Sequence, residues 1–234
     1  MSLPHPCHSI VILTGAGISA ESGLQTFRDV GGIWSQVRIE DVATPEAWAR
    51  DRARVTAFYN ARRQQLSTPD IKPNAAHRAL AELQKRWTGD LLLVTQNVDN
   101  LHERAGSDAF HMHGRLDHVR CVACGVDSAW LDEVTPASLC PACGATAGLR
   151  PSVVWFGEIP HGLEQIDRAL TECDLFIAIG TSGTVYPAAG FSAAARAHGA
   201  YTIEVNLEAT GRFDHRMLGP ATETVPALVA ELLA

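Results

Sequence analysis

The chain has 234 residues with 19 basic and 26 acidic side chains, so its formal net charge is −7. Hydrophobic residues make up 46% and charged residues 19%, which excludes a disordered tail, a collagen-like repeat and a coiled coil. The acidic balance argues against nucleic-acid and membrane partners. No apolar run approaches the roughly 18 residues of a membrane helix, and no signal-peptide pattern opens the chain. We therefore expect a cytoplasmic globular protein.

Short apolar runs alternate with helical patterns along most of the chain. The runs that predict strands cover residues 9–13, 91–95, 153–156, 175–179 and 201–205. Their nearly continuous hydrophobicity is typical of parallel strands that are covered on both faces. Helical periodicity occupies residues 73–87, 163–170 and 225–232. This alternation predicts an α/β fold with a doubly wound parallel sheet.

Two stretches interrupt the alternation. Residues 31–70 have no strand pattern and carry a helix that starts near Thr44 and Pro45. Residues 121–148 are poor in large apolar side chains and contain four of the six cysteines. This second stretch cannot build much core, so another interaction must hold it together.

The four clustered cysteines are spaced C-x2-C, fifteen residues, then C-x2-C, and they are Cys121, Cys124, Cys140 and Cys143. Two such turns supply four thiolates to one tetrahedral zinc ion. A redox dithiol or two disulfides are the alternatives, and two matched pairs in a cytosolic chain disfavour both. Four thiolates leave no open position on the metal, so we predict one structural Zn²⁺.

A glycine-rich turn, Gly-Ala-Gly-Ile-Ser-Ala at residues 15–20, directly follows the first predicted strand. It fits G-x-G-x-x-G/A, in which glycines allow a pyrophosphate to approach the backbone. A turn that needs small residues only for packing is the alternative. The acidic residue expected about twenty residues later is displaced by the first interruption, and Glu208 offers a substitute carboxylate for a ribose.

Polar residues follow the predicted strands at the sheet edge where α/β proteins bind ligands. Gln96, Asn97 and Asp99 could hydrogen-bond a nicotinamide and its ribose, although a polar loop with an aspartate cap fits equally well. His111 and His113 would share one face of an extended strand. Such a pair could bind metal, but the thiolates already complete a metal shell, which leaves a histidine for acid–base chemistry.

Taken together, these motifs resemble those of the sirtuins, the NAD-dependent protein-lysine deacylases, and specifically the bacterial class III type. The shared motifs run in order through residues 15–221: GAGIS at 15–19, GLQTFR at 23–28, TQNVDNLH at 95–102, HMHG at 111–114, the four cysteines, RPSVVWFGE at 150–158, GTS at 180–182 and NLE at 206–208. The resemblance implies a Rossmann-like domain of residues 1–30, 71–117 and 149–234. It also implies a smaller domain formed by a helical insert, residues 31–70, and a zinc-ribbon insert, residues 118–148.

The resemblance further implies the reaction and its residues. An acyl-lysine displaces nicotinamide from NAD⁺, His113 acts as general base with Asn97 and Asp99 beside it, and water completes the reaction to give free lysine and 2′-O-acyl-ADP-ribose. The residues implied to bind NAD⁺ are Gly15, Ala16, Gly17, Ser19, Ala20, Phe27, Arg28, Trp34, Gln96, Asn97, Val98, Asp99, His113, Gly180, Thr181, Ser182, Asn206, Leu207, Glu208 and Ala221. Those implied to contact the acylated protein or peptide are Tyr59, Arg62, Val153, Phe156, Gly157 and Val185.

The motif Y-x-x-R, formed by Tyr59 and Arg62, is that of class III sirtuins and sharpens the substrate class. Residues at i and i+3 share a helix face, and a guanidinium beside a phenol suits a carboxylate at the end of an acyl chain. The motif therefore favours succinyl- and malonyl-lysine, which carry such a carboxylate; acetyl-lysine, which does not, is also an expected substrate. A solvated Arg62 among neighbouring arginines is the alternative.

Three other functions remain to be weighed. An NAD-dependent oxidoreductase would use the same kind of sheet, and a protein ADP-ribosyltransferase would share the release of nicotinamide. A zinc-ribbon module that binds nucleic acid would need a basic face, but residues 121–148 contain no lysine or arginine. We expect acylated proteins as partners and a monomer.

Overall fold

The computed structural model describes residues 7–24, 37–146 and 148–234, so Phe27, Arg28 and Trp34 of the expected NAD⁺ site lie outside the described residues. The strands in these ranges are β1 (Ser9–Thr14), β2 (Asp90–Thr95), β3 (Phe110–His111), β4 (Gly114–Cys121), β5 (Asp127–Ala129), β6 (Leu149–Val153), β7 (Leu175–Ile179), β8 (Tyr201–Asn206) and β9 (His215–Leu218). The helices are α1 (Gly17–Ala20), α2 (Ile39–Val42), α3 (Pro45–Arg50), α4 (Arg52–Leu66), α5 (Ala75–Arg86), α6 (Leu101–Ala105), α7 (Leu163–Glu172), α8 (Phe191–Ala197) and α9 (Ala221–Leu232). No helix in these ranges has both the length and the apolar character needed to span a membrane.

Six of the described strands form one parallel sheet in the order β3-β2-β1-β7-β8-β9. The chain adds strands outward on one side of β1 and then on the other side, which is the strand order of a Rossmann fold. The predicted doubly wound parallel sheet is therefore confirmed. The order reverses between β1 and β7, and ligands of such sheets bind at this point, beyond the carboxyl ends of the strands.

Helices cover both faces of this sheet. Successive residues of a strand point to opposite faces. Thus Ile12 of β1 packs in a cluster with helices α5 and α9, whereas Leu13 packs in a cluster with α7 and α8. Both faces of β1 must be apolar, which explains its uninterrupted run of hydrophobic residues.

A smaller antiparallel sheet has the order β5-β4-β6. The expectation that residues 153–156 form a strand of the main sheet is wrong, because β6 ends at Val153 and pairs with β4. Trp155 beyond it is buried in the core of the helical insert. An apolar run indicates burial but does not identify the partner that buries it.

Asp51 separates two helices of the helical insert. Thr44 Oγ1 accepts a hydrogen bond from the Ala47 amide at 3.0 Å and begins α3, with a proline as its first residue. Asp51 Oδ1 then accepts one from the Arg54 amide at 2.9 Å and begins α4. The predicted start near Thr44 is confirmed, and the second cap lets the chain change direction before α4.

Asn60 of α4 connects the helical insert to the zinc-ribbon insert. Its side-chain amide donates to the Val134 carbonyl at 2.8 Å and accepts from the Val134 amide at 3.0 Å. The neighbouring Arg63 is buried and donates to the Leu116 carbonyl at 3.0 Å. Because the zinc-ribbon insert has little core of its own, the two hydrogen bonds between Asn60 and Val134 help fix it against α4.

Candidate active site

A cavity of about 850 Å³ opens at the carboxyl ends of β1, β2, β7 and β8 and extends to α4. It lies at the point where the strand order reverses. Every described residue that the resemblance assigns to NAD⁺ or substrate lines this cavity. Two groups that are far apart in sequence, the strand-end residues and the pair on α4, therefore share one space.

The glycine-rich turn packs closely against the end of β7. The Gly15 amide donates to the Ile179 carbonyl at 2.9 Å, and the Gly17 amide donates to the Gly180 carbonyl at 2.8 Å. A Cβ atom at Gly15 would lie 2.7 Å from the carbonyl oxygen of Gly180, and a Cβ atom at Gly17 would lie 2.7 Å from the Cα of Gly180. Packing alone thus accounts for both glycines, and the same turn forms one wall of the cavity.

A buried hydrogen-bond network joins this turn to the loop after β2. Asn97 Nδ2 donates to the Gly15 carbonyl at 3.1 Å and to Ser19 Oγ at 3.2 Å. Ser19 Oγ donates to Asp99 Oδ2 at 3.0 Å, while Asp99 Oδ1 accepts from the Leu101 amide at 3.0 Å. The aspartate thus also serves the first turn of α6. Burial raises the pKa of Asp99, and the hydrogen bonds from Leu101 and Ser19 oppose this shift.

Two neutral histidines lie beneath the same network. Their ring centroids are 5.0 Å apart, His102 Nε2 lies 3.0 Å from Thr14 Oγ1, and His77 Nε2 lies 3.4 Å from Ser19 Oγ. Burial lowers the pKa of His77 to about 4 and that of His102 to about 3. These two rings therefore add no positive charge beside Ser19 and Asp99 at neutral pH.

His113 lines the cavity with its Nδ1 3.0 Å from the carbonyl oxygen of Gln96. A carbonyl only accepts, so Nδ1 carries the proton and Nε2 keeps a lone pair. Burial lowers the pKa of His113, the bond to Gln96 opposes this, and His161 adds to the lowering. The ring is therefore neutral at pH 7, which a general base requires.

His111 has a different environment. Its Nδ1 lies 3.0 Å from the carbonyl oxygen of Asn97 and its Nε2 lies 2.8 Å from Glu103 Oε1. His111 and His113 thus contact successive carbonyls of the loop after β2. Within the described ranges, the only group of side chains arranged to hold a metal ion is the cysteine cluster.

The four cysteine sulfurs all lie within 4.8 Å of one another. The Sγ atoms of Cys121 and Cys143 are 3.8 Å apart, as are those of Cys124 and Cys140. A tetrahedral zinc ion with Zn–S bonds of about 2.3 Å requires sulfur separations of about 3.8 Å. A disulfide requires about 2 Å, so these distances fit the predicted zinc site and not two disulfides.

Tyr59 and Arg62 lie together at the end of the cavity formed by α4. Tyr59 is buried, and its hydroxyl accepts from Trp155 Nε1 at 3.0 Å. Arg62 is half-buried; its Nη1 donates to Gln65 Oε1 at 3.1 Å, and its guanidinium carbon lies 5.5 Å from the centre of the Phe58 ring. Burial lowers the pKa of Arg62. Among the described residues, no acidic side chain forms an ion pair with it.

Two neighbouring arginines, Arg50 and Arg54, differ from Arg62 in exposure and in ion pairing, which disfavours the alternative that Arg62 is simply a solvated surface residue. Arg50 and Arg54 are exposed and both pair with Asp41 at 3.3 and 3.0 Å. Gln65 is missing from the expected site residues, although it lines the cavity and continues the three-residue spacing from Tyr59 to Arg62, which could have identified it. Trp155 lies within the motif at residues 150–158, but no signal in the sequence indicates its contact with Tyr59.

The opposite end of the cavity is formed by the strand ends of β7 and β8. Asn206 Nδ2 donates to the Thr181 carbonyl at 2.9 Å, and Gln96 Nε2 donates to Thr181 Oγ1 at 3.0 Å. Glu204 is buried and accepts from the Thr210 amide at 2.8 Å. Glu208 is exposed and lines the cavity, so its carboxylate is the accessible one of the two.

Known proteins are similar to this chain in sequence and in fold. Residues 15–187 match the Sir2 family. A relative from Bdellovibrio bacteriovorus, named NAD-dependent protein deacylase, is 55% identical over 229 residues, which are 96% of this chain and 97% of the relative. A crystal structure of a Sir2 homologue in complex with NAD is 38% identical, with a TM-score of 0.86 over 98% of this chain and 92% of the homologue. A Sir2 structure with a deacetylated p53 peptide and 3′-O-acetyl-ADP-ribose is 28% identical, with a TM-score of 0.82 over 97% and 94%.

Proposed function

This chain belongs to the Sir2 family and is an NAD-dependent protein deacylase, and we propose that it preferentially removes lysine acyl groups that end in a carboxylate, such as succinyl and malonyl. The observation that carries this preference is the half-buried guanidinium of Arg62 beside the Tyr59 hydroxyl, in the same cavity as His113.

We assign the role of general base to His113. Bound NAD⁺ supplies a ribose carbon from which nicotinamide can leave. His113 accepts a proton from a ribose hydroxyl at Nε2, while Nδ1 stays bonded to the Gln96 carbonyl. This bond holds the ring in one tautomer, and burial keeps it neutral until it accepts the proton.

Gln96, Asn97 and Asp99 are proposed to hold the nicotinamide and its ribose. Asn97 and Asp99 are buried, and their side chains are tied to Ser19 and to the glycine-rich turn. Such groups lose little conformational freedom when they bind a ligand, which supports a positioning role. The residues of the glycine-rich turn are proposed to bind the phosphates of NAD⁺. The adenosine half is proposed to be bound by residues at the ends of β7 and β8 and at the start of α9: Gly180, Thr181, Ser182, Asn206, Leu207, Glu208 and Ala221.

The carboxylate preference follows from the charge in the acyl end of the cavity. A partly desolvated guanidinium is stabilised by an anion, and arginine binds carboxylates through two parallel hydrogen bonds. An acetyl group ends in a methyl and forms no such bond. A hydrogen bond to a charged group contributes about 1.5–3 kcal/mol, which corresponds to about 10- to 150-fold in kcat/KM.

The acylated peptide is proposed to bind along residues 153–157 and 183–186 through main-chain hydrogen bonds. Val153, Phe156, Gly157 and Val185 line the cavity there, and both Phe156 and Tyr186 are exposed. The peptide complex of the related Sir2 structure supports this class of substrate.

We propose the two-domain division at residues 31–70 and 118–148, and the contacts of Asn60 with Val134 support a joint smaller domain. We further propose that the protein is a monomer and acts in the cytoplasm, where reduced thiols would favour the zinc site.

A peptide panel tests the proposed function. One peptide sequence carrying acetyl-, butyryl-, malonyl- or succinyl-lysine is incubated with the enzyme with and without NAD⁺, and the products are measured by mass spectrometry. We expect nicotinamide release with every substrate that is turned over, and faster turnover of succinyl- than of butyryl-lysine, in which a methyl group replaces the carboxylate. NADH formation without nicotinamide would contradict the deacylase reaction. Equal rates for succinyl- and butyryl-lysine would contradict the carboxylate preference alone.

A further inference from the structure

Trp155 makes a buried hydrogen bond to Tyr59, although the two residues are 96 positions apart in the sequence. The indole N–H can only donate, so the Tyr59 oxygen is the acceptor in this 3.0 Å contact. In the part of the chain described, this is the one hydrogen bond of that hydroxyl. The hydroxyl proton therefore remains available to an acceptor in the cavity.

Trp155 is itself held rigidly. Its side chain is 2% exposed, and the guanidinium carbon of Arg150 lies 3.5 Å from the centre of its ring. Its backbone amide donates to Glu158 Oε2 at 2.8 Å, and Glu158 in turn accepts two bonds from Arg150 at 2.7 and 2.9 Å. The indole N–H consequently points in one direction and cannot turn away without breaking this packing.

We propose that Trp155 is a positioning residue for acyl-chain selection, which orients the Tyr59 hydroxyl proton toward the terminal carboxylate of the acyl chain. This inference rests on the proposed function, because it requires a carboxylate bound between Tyr59 and Arg62. By occupying the hydroxyl oxygen as acceptor, the indole N–H directs the single phenol proton elsewhere. It also polarises the phenol and so strengthens its outgoing hydrogen bond.

The protonation state of Tyr59 agrees with this role. Burial raises the pKa of Tyr59 far above its ordinary value, so the phenol keeps its proton and acts as a donor throughout the neutral range. An acyl chain that ends in a methyl offers no acceptor to this proton. The contribution of Trp155 should therefore appear with succinyl-lysine and disappear with butyryl-lysine.

A double-mutant cycle tests the inference in the full-length enzyme. Trp155→Phe, Tyr59→Phe and the double variant are assayed for kcat and KM with one peptide carrying succinyl- or butyryl-lysine. Replacement of Trp155 by benzothienylalanine is the matched second variant, since it retains the bicyclic ring and lacks only the N–H. Thermal melting shows which variants are folded. If Trp155→Phe is not folded, the benzothienylalanine variant decides the outcome.

We expect either replacement of Trp155 to lower kcat/KM for succinyl-lysine about fivefold more than kcat/KM for butyryl-lysine, mainly through KM. In the Tyr59→Phe background the additional loss should vanish. An equal loss on both substrates, or an undiminished loss without the Tyr59 hydroxyl, would overturn the inference and make Trp155 a packing residue. Arg62→Met is assayed alongside: if it does not reduce the succinyl preference, the carboxylate pocket itself fails, which is a separate result.

Discussion

His113 and Gln96 are joined by a 3.0 Å contact between the ring Nδ1 and the backbone carbonyl oxygen. Because the carbonyl belongs to the loop after β2, the same loop that positions the Asn97 and Asp99 side chains also fixes the tautomer of His113. His113, the proposed base, and the residues proposed to hold the ribose are thus positioned by one loop. This relationship makes the role of His113 open to direct tests.

Replacing His113 with Gln should lower kcat by a factor of about 10² to 10⁴, which is the usual contribution of a general base. Binding of NAD⁺, measured by calorimetry, should change little because the variant keeps a polar side chain of similar length. His161→Gln is the matched control, since His161 lies near His113 and is exposed. A His113→Gln enzyme that retains wild-type turnover would refute the assignment.

The pH profile should reflect the lowered pKa of His113. The neutral ring is the proposed base, and burial shifts its pKa below the ordinary value of 6.5. Activity should therefore persist as the pH falls to 6.5 and be lost only at lower pH. The measurement is kcat/KM for an acetyl-lysine peptide between about pH 5 and 8 at constant ionic strength. A half-maximal point above pH 7 would show that another group controls the reaction.

Arg62→Met should lower kcat/KM for succinyl-lysine by about 10- to 150-fold while leaving acetyl-lysine within about threefold, because only the former carries a carboxylate. Arg54→Met on the same helix is the control: Arg54 is exposed and pairs with Asp41 outside the cavity. It should leave the ratio of the two activities unchanged. Parallel losses on both substrates in Arg62→Met would make Arg62 a structural residue.

The cysteine cluster should bind about one zinc ion per chain, and Cys121→Ser should remove it and lower the melting temperature by about 10 °C or more. The reason is that the zinc-ribbon insert has a small core of its own, so metal ligation supplies much of its stability. Elemental analysis and calorimetry measure the two quantities. Cys7→Ser, which changes a cysteine outside the cluster, should retain both. A metal-free Cys121→Ser protein with wild-type stability would contradict the structural role.

Acid should destabilise the fold through His77 and His102. Their folded-state pKa values, about 4 and about 3, lie below the unfolded value of 6.5, so the unfolded chain binds more protons between these limits. Stability is therefore full above pH 6.5 and falls as the pH decreases, by about 2 kcal/mol for each histidine between about pH 6.5 and 5.

The variant His77→Gln isolates one of these contributions. Glutamine remains uncharged and still suits the third helical position of α5, where His77 takes part in a capping box with Asn74. In urea denaturation at pH 7 and pH 5, the difference in unfolding free energy should shrink by about 2 kcal/mol. The exposed His198→Gln should leave the difference unchanged. An unaltered difference in His77→Gln would show that other groups govern the acid response.

Much of the site was predictable because its parts are local. The turn at residues 15–20 and the strand-end residues 96–99 each come directly after an apolar strand, and this placement can be seen in the sequence. Likewise, the spacing of the cysteines predicts the zinc site, since each C-x2-C turn forms its own half of the metal shell. The order of apolar runs also predicts the parallel sheet, because a run covered on both faces must be apolar at every position.

Only the tertiary structure decided the relationships between distant segments. That residues 149–153 pair with β4 rather than with the main sheet, that His77 lies against His102, and that Trp155 donates to Tyr59 all depend on packing between remote parts of the chain. An apolar or aromatic side chain predicts its own burial but not which residues it packs against, because hydrophobic attraction has no direction. By itself the sequence determined the chemical groups available to this protein: its hydrogen-bond donors, the histidine proposed as base, and the four clustered cysteines. Which of those groups face one another across the cavity was settled by the packing of α4 against the segment that follows β6.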